Sequence, residues 1–349
     1  MIVKSELRVE IIEKINWEDY NSLLDNTAST FFHSFKFLQL LKTLLKVEIG
    51  AIEVRENYDM TGILPYFIKK TKFGNVINSL PYFGSYGGVL TQKNENAKVI
   101  LEKFNELNEE KDVLSSVIIE NPFNINNEIY EKYFHHNYTD SRITQCTKLD
   151  LNESELLSKF EKRVRWSIKK ADKHNIKIKK SGLNERINSE FFHYHKKNME
   201  SKDGKFKSLD FFHQIEKIFE AGKDYDVYMG LKDEIPISFL LVFYFKNYTE
   251  YYMPAQNLEM KEFQASSKLI WESMRESIKK NIVYYNFGGT PKNNLSLYRF
   301  KKGWNSEDYS YKYYIYADIK KIQECNLDEL KKSFQNFFII PYDRIQKGN

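Results

Sequence analysis

A chain of 349 residues is long for one hydrophobic core, so two domains of ordinary size are expected. With 42% hydrophobic and 15% aromatic residues it can fill two packed interiors, which excludes a disordered or low-complexity protein. The net charge of +5 suits a phosphate-bearing substrate and falls short of requiring nucleic acid. Cys146 and Cys325 stand far apart without metal-like spacing, so neither a metal site nor a disulfide framework is expected, and a reducing compartment is. The first ten residues carry charges at Lys4, Glu6 and Arg8 and no apolar core of a signal peptide. The longest apolar run, residues 237–245, is far too short to cross a bilayer. The expectation is a soluble cytoplasmic protein with peripheral membrane contact at most.

In chain order, Phe32-His33-Ser34-Phe35-Lys36 reads as a short polar entry to a helix. Residues 48–55 alternate as a strand, Asn57-Tyr58-Asp59 turns, and residues 61–68 return. A strand over 76–80 runs into Pro81 and the loop Tyr82-Phe83-Gly84-Ser85-Tyr86-Gly87-Gly88. A helix over 94–108 follows, then an apolar strand over 113–119 that ends at Glu120. Asn152 with Glu155 forms a capping box for one continuous helix, with Leu156, Phe160, Val164, Ile168 and Ala171 on a single stripe and a stop at His174-Asn175.

The first order of elements then recurs. Residues 227–231 and 235–245 form a hairpin around Lys232-Asp233-Glu234, and a strand over 249–253 meets Pro254 as the earlier strand met Pro81. A helix over 261–280 puts Ala265, Leu269, Ile270, Met274 and Ile278 on one face, and a strand over 282–287 ends at Gly288-Gly289. Beyond Ala317 a short helix-like stretch precedes an apolar strand-like segment, 337–341. The repeat predicts an α/β (α+β) protein of two similar domains, residues 1–150 and 151–316, with the tail 317–349 packing back on the first.

Four groups of residues carry candidate chemistry. A strand ending in Gly288-Gly289, followed by Phe300-Lys301-Lys302-Gly303 on a short helix, can bring an anion or carbonyl close to backbone. From Lys159 to Lys180 there are ten Lys or Arg against two acids, which makes either a diphosphate clamp or a solvated charged face. The loop after Pro81 either holds a substrate, with phenols for a sugar or peptide, or simply makes a tight connection. Glu120, at the end of a buried strand, is placed to serve as a base for an attacking amine.

The spacing Phe160-x-x-x-x-Arg165-x-x-Ile168-x-Lys170-Ala171, with Phe300-Lys301 about 130 residues later, resembles the FemABX peptidyltransferases and their GNAT-fold relatives. The resemblance implies a duplicated GNAT fold whose two domains share a cleft. It also implies transfer of an acyl or aminoacyl group to an amine on a nucleotide- or lipid-linked envelope precursor of peptidoglycan or surface polysaccharide. By residue it implies Lys301 beside the reacting carbonyl, Glu120 as a possible base, and Arg165 and Lys36 on acceptor phosphates. Tyr82, Tyr86 and Gly87 would meet the acceptor, and Gly288, Gly289 and Lys302 the donor. No bound cofactor is expected, the co-substrate being aminoacyl-tRNA or acyl-CoA. Where a CoA-binding member has a glycine-rich loop, this chain reads Met260-Lys261-Glu262-Phe263-Gln264-Ala265-Ser266-Ser267, which argues against ordinary acetyl-CoA binding and favours aminoacyl-tRNA or an unusual donor. The competing expectation is a non-catalytic RNA- or precursor-binding protein on a decayed GNAT scaffold.

Overall fold

The computed structural model describes residues 7–82, 86–110, 112–124 and 128–342. The chain divides into two compact units, one drawn from residues 1–142 and 310–349, the other from residues 143–309.

In the first unit the chain runs β1 (Leu7–Ile12), α1 (Trp17–Asp25), α2 (Phe35–Leu45), β2 (Glu48–Glu56), β3 (Asp59–Thr71), β4 (Gly74–Asn78), β5 (Leu90–Thr91), α3 (Asn94–Glu110), β6 (Val113–Ile119) and α4 (Glu128–Tyr133). Side-chain caps start the first two helices: Asn16 accepts from the Glu18 and Asp19 amides, and Ser34 from that of Phe37. Strands β1 to β4 pair antiparallel in order, and β5 adds to β3. Because α3 intervenes, β6 can join β4 in parallel, as a hairpin could not. One face of α3, with Ile100, Leu101, Phe104 and Leu107, packs with Ile52, Val54, Leu64 and Ile77 of the strands.

Strand β7 (Tyr138–Lys148) leads into the second unit, which continues α5 (Glu153–Lys159), α6 (Lys162–Lys173), β8 (Lys177–Ser181), α7 (Glu185–Glu200), α8 (Leu209–Ile218), β9 (Tyr225–Lys232), β10 (Ile235–Phe245), β11 (Tyr248–Gln256), α9 (Ala265–Lys279), β12 (Tyr284–Pro291) and α10 (Leu295–Lys302). Strands β8 to β11 pair antiparallel in sequence, β12 lies parallel to β11, and β7 follows beyond β12. Leu269, Ile270 and Met274 of α9 close a core with Leu240, Val242 and Tyr285. Hairpin, third strand, crossover helix and parallel strand thus occur twice, as β2-β3-β4-α3-β6 and β9-β10-β11-α9-β12.

Strand β13 (Ser306–Ala317) returns the chain to the first unit, where its residues 313–317 pair antiparallel with β6, and α11 (Ile319–Glu324) and α12 (Leu327–Ser333) follow.

Four local expectations are corrected. The helix opened by the Asn152–Glu155 capping box ends at Lys159, and a separate helix begins at Lys162. Phe160 between them is extended (ψ 150°), with its ring against Trp271 and Trp304 at 5.5 and 5.2 Å. Burying that ring is worth about 2 kcal/mol, enough to offset the broken helix ladder. The predicted stripe is nevertheless buried at Leu156, Phe160, Val164, Ile168 and Ala171. Helix α9 starts only at Ala265, after a 3-10 turn and a left-handed Gln264 (φ 57°). Strand β12 passes through the glycine pair instead of ending there. Residues 337–341 form no strand, because the Asn78 amide takes both backbone polar groups of Phe338, at 2.8 and 2.9 Å.

Candidate active site

Parallel pairing sets Glu250 of β11 opposite Asn286 of β12. The Asn286 amide donates to Glu250 Oε2 at 2.7 Å, and its oxygen accepts from Thr144 Oγ1 (2.9 Å), Cys146 Sγ (3.3 Å) and the Gly288 amide (2.9 Å). Three adjacent strands therefore contribute to one buried polar cluster. Accepting the Gly288 amide two residues on turns the strand, and Gly288 adopts φ +71°. A Cβ there would meet only Glu250 Oε1 at 3.6 Å, so the backbone angle, and not space, calls for glycine.

Helix α10 is capped by Asn294, whose side chain accepts from the Leu297 amide. Lys301, in its last turn, is buried, only 3% exposed. Its Nζ donates to the carbonyls of Gly288 (2.7 Å) and Gly289 (3.0 Å). Burial pulls its pKa down to about 7 against the opposing charge of Glu250. Burial likewise pushes Glu250 up to about 8, opposed by the Asn286 hydrogen bond and the Lys301 charge. A lysine of this kind has a third N–H when protonated, aimed at neither glycine carbonyl and able to meet a developing oxyanion. The glycine pair is half-buried, and so leaves backbone within reach of a ligand.

The other expected residues have different settings. Lys302, half-buried, donates to the Ser306 carbonyl at 2.9 Å and pairs with Asp308 at 3.1 Å, so its charge is met locally. Arg165 Nη1 donates to the carbonyls of Ser158 (3.0 Å) and Phe160, closing the end of α5. Its remaining N–H groups meet no partner among the described residues. Arg163 pairs with Glu161 at 2.6 Å and donates to the Arg299 carbonyl. The solvent face of α6 presents Lys162, Lys169, Lys170 and Lys173 around Trp166, which is 56% exposed and 5.0 Å under the Lys170 ammonium.

Glu120 belongs to the first unit and is buried. One oxygen accepts from the Lys312 amide at 2.6 Å and the other from Tyr314 Oη at 2.9 Å, while burial pushes its pKa up to about 7. Both oxygens are engaged in joining β6 to β13, which is a structural setting and not that of a base facing a substrate. Lys36 is half-buried in the first turn of α2. Tyr86 is wholly buried, with its ring edge-on to Phe32 and Tyr311, each at 5.2 Å. Gly87 donates to the Ile119 carbonyl, and its own carbonyl meets His33 Nε2 at 3.1 Å; a Cβ would strike Ser79 Oγ at 2.6 Å. Tyr86 and Gly87 are both buried within the first unit. Tyr82 (φ +79°) lines a cavity, and Phe83, Gly84 and Ser85 lie outside the described residues.

Sequence reasoning missed Glu250, Asn286, Cys146 and Thr144. No local pattern pointed to them, and nothing in the sequence joined β7 and β11 to β12.

Two successive units of antiparallel hairpin, crossover helix and parallel strand make this a tandem GNAT-type fold. Solved structures share it. FemX matches with a TM-score of 0.69 at 15% identity, over 87% of this chain and 96% of that one. A conserved protein of unknown function from Bacteroides thetaiotaomicron matches at 0.60 and 11% identity, over 88% and 99%. A tandem GNAT protein from the clavulanic acid biosynthesis pathway matches at 0.55 and 10% identity, over 89% and 98%. The FemAB family model matches residues 133–229 and 226–311, and the chain belongs to the FemAB family. That membership makes it a transferase of the acyl or aminoacyl class. None of the curated proteins matches it in sequence. Among the described residues no helix is long and apolar enough to cross a membrane.

Proposed function

We propose that this protein transfers an acyl or aminoacyl group to an amine on a phosphate-bearing cell-envelope precursor, by direct attack of that amine on an activated ester or thioester. The observation that carries the reading is Lys301: a buried amine held by the Gly288 and Gly289 carbonyls and charge-coupled to Glu250. As the amine attacks, the carbonyl oxygen of the donor gains negative charge. A protonated Lys301 directs its third N–H at that oxygen, and the tetrahedral intermediate then collapses with loss of the tRNA hydroxyl or the thiol. Stabilising charge that exists only in the transition state raises turnover and not merely affinity.

Aminoacyl-tRNA is the favoured donor. Glu262 is exposed in the turn before α9, and the helix entry is the left-handed Gln264, with no glycine loop for a pyrophosphate. The basic face of α6, with Trp166 among four lysines, supports a nucleic-acid co-substrate, since an exposed indole can stack on an unpaired base. The open edge of Arg165 is assigned to an acceptor phosphate. The same basic face would serve a protein that binds RNA without catalysis. Turnover assays with aminoacyl-tRNA and with acyl-CoA, on wild type and Lys301→Met, separate these readings. Loss of transfer in Lys301→Met with tRNA as donor is the expected result. Transfer from neither donor by the wild type would leave the binding role, and activity with acetyl-CoA alone would overturn the donor.

A further inference from the structure

A groove of about 330 Å³ opens in the second unit, on the two elements that bring Lys301 and the glycine pair together. It is lined by Ile143 of β7, Thr290 and Pro291 at the end of β12, Lys292 just beyond, and Leu295 and Tyr298 of α10. Thr290 follows Gly289 directly, and the Gly289 carbonyl accepts from Lys301 Nζ at 3.0 Å. Tyr298 lies one turn before Lys301 on α10, with Leu295 a turn earlier. The groove therefore begins one peptide link from a carbonyl that holds the lysine.

Buried side chains fix its floor. Thr290 Oγ1 donates to Gln145 Oε1 at 3.2 Å, and Gln145 Nε2 donates to the Tyr298 carbonyl at 3.3 Å. Gln145 is wholly buried, so one amide ties β12 to α10, and Ile143 stands two residues before it on the same face of β7. Tyr298 Oη donates to Asp308 Oδ2 at 2.8 Å, and Asp308 pairs with Lys302 at 3.1 Å. The hydroxyls of Thr290 and Tyr298 are thus already bonded, and the lining is mainly aliphatic and aromatic carbon. Leu295 is 61% exposed, and the exposed Lys292 ammonium meets no partner among the described residues.

We infer that this groove receives an aliphatic side chain of the transferred group, of the size of leucine or methionine, against Ile143, Pro291, Leu295 and the Tyr298 ring. The inference rests on the transfer reading and names the class of group transferred. The occupant belongs to the donor, because β12 and α10 also carry Gly288, Gly289 and Lys301, which that reading sets beside the donor carbonyl. Burying an aliphatic side chain is favourable, whereas a glycyl group would leave the groove to water. A carboxylate side chain could reach Lys292, but an exposed ion pair contributes little and apolar walls oppose a charge.

Equilibrium binding of one tRNA ending in 3′-amino-3′-deoxyadenosine, charged through a stable amide with leucine, glycine or glutamate, tests it on the full chain. The leucyl form is expected to bind about tenfold or more tighter than the glycyl form, and the glutamyl form no better than the glycyl. Leu295→Asp puts a charge into the groove and keeps the fold, since an acid suits the first turn of a helix. It should bring leucyl affinity to within about threefold of glycyl, with glycyl affinity and melting unchanged. Equal binding of the leucyl and glycyl forms, or an equal loss for both in Leu295→Asp, would overturn the inference and leave the transfer reading standing. Tightest binding of the glutamyl form would overturn it in favour of Lys292 as the anchor. Binding of none of the three would strike the tRNA donor, and this inference with it.

Discussion

Asn286 and Glu250 stand opposite each other on parallel strands, and the Asn286 amide donates to the Glu250 carboxylate at 2.7 Å. The same asparagine oxygen fixes the Gly288 amide, so the carboxylate that faces Lys301 electrostatically and the carbonyls that hold Lys301 are positioned by one side chain. The candidate chemistry depends on this arrangement.

Lys301→Met should lower turnover on the true donor by about 10²–10³-fold, the range seen when an oxyanion donor is removed. Melting should change far less than activity, because replacing a desolvated cation by an apolar chain of similar length offsets the two lost hydrogen bonds. Steady-state rates and a thermal melt of each protein check this; a variant with wild-type turnover removes Lys301 from the mechanism.

The pH profile follows from the charge on Lys301. If the protonated amine is the active form, turnover falls as pH rises through about 7, where Lys301 loses its proton. Glu250 raises that pKa, so Glu250→Gln should move the alkaline limb to lower pH. Rate profiles of the two proteins decide it, and a limb left in place would refute the coupling.

Arg165→Ala should weaken binding of a phosphate-bearing precursor by about 1.5–3 kcal/mol, and Lys173→Ala by much less. The structure adds a second consequence. Arg165 also closes α5, so its alanine variant should lose about 1 kcal/mol of stability, whereas Lys173→Ala should not. Precursor titration beside a denaturant melt reports both, and equal affinities would reduce α6 to a solvated face.

Glu120 gives a stability signature. Its folded pKa of about 7 lies above the ordinary 4.5, so the folded state holds the proton more tightly. That contribution is fully present below about 4.5 and is lost as pH rises through about 7, on the order of 3 kcal/mol in all. Glu120→Gln should flatten this decline. Denaturation midpoints measured across the window test it; a variant with the wild-type slope would place the titration elsewhere.

The amino-acid sequence by itself determined the repeated hairpins, the helix α3, the buried stripe of Leu156, Phe160, Val164, Ile168 and Ala171, and the capping box at Asn152. Those features are local: periodicity, caps and glycine act over a few residues and can be read without knowing what packs against them. The tertiary structure alone decided that the helix breaks at Phe160, since the two tryptophans that receive its ring are more than 100 residues away in the chain. It alone turned residues 337–341 from a strand into a strap, because Asn78 took the hydrogen bonds that a strand partner would have used. It likewise joined Glu250, Asn286, Thr144 and Cys146 around the glycine kink. Parallel register across a crossover helix puts residues 36 apart side by side, and no spacing along the chain encodes that neighbourhood.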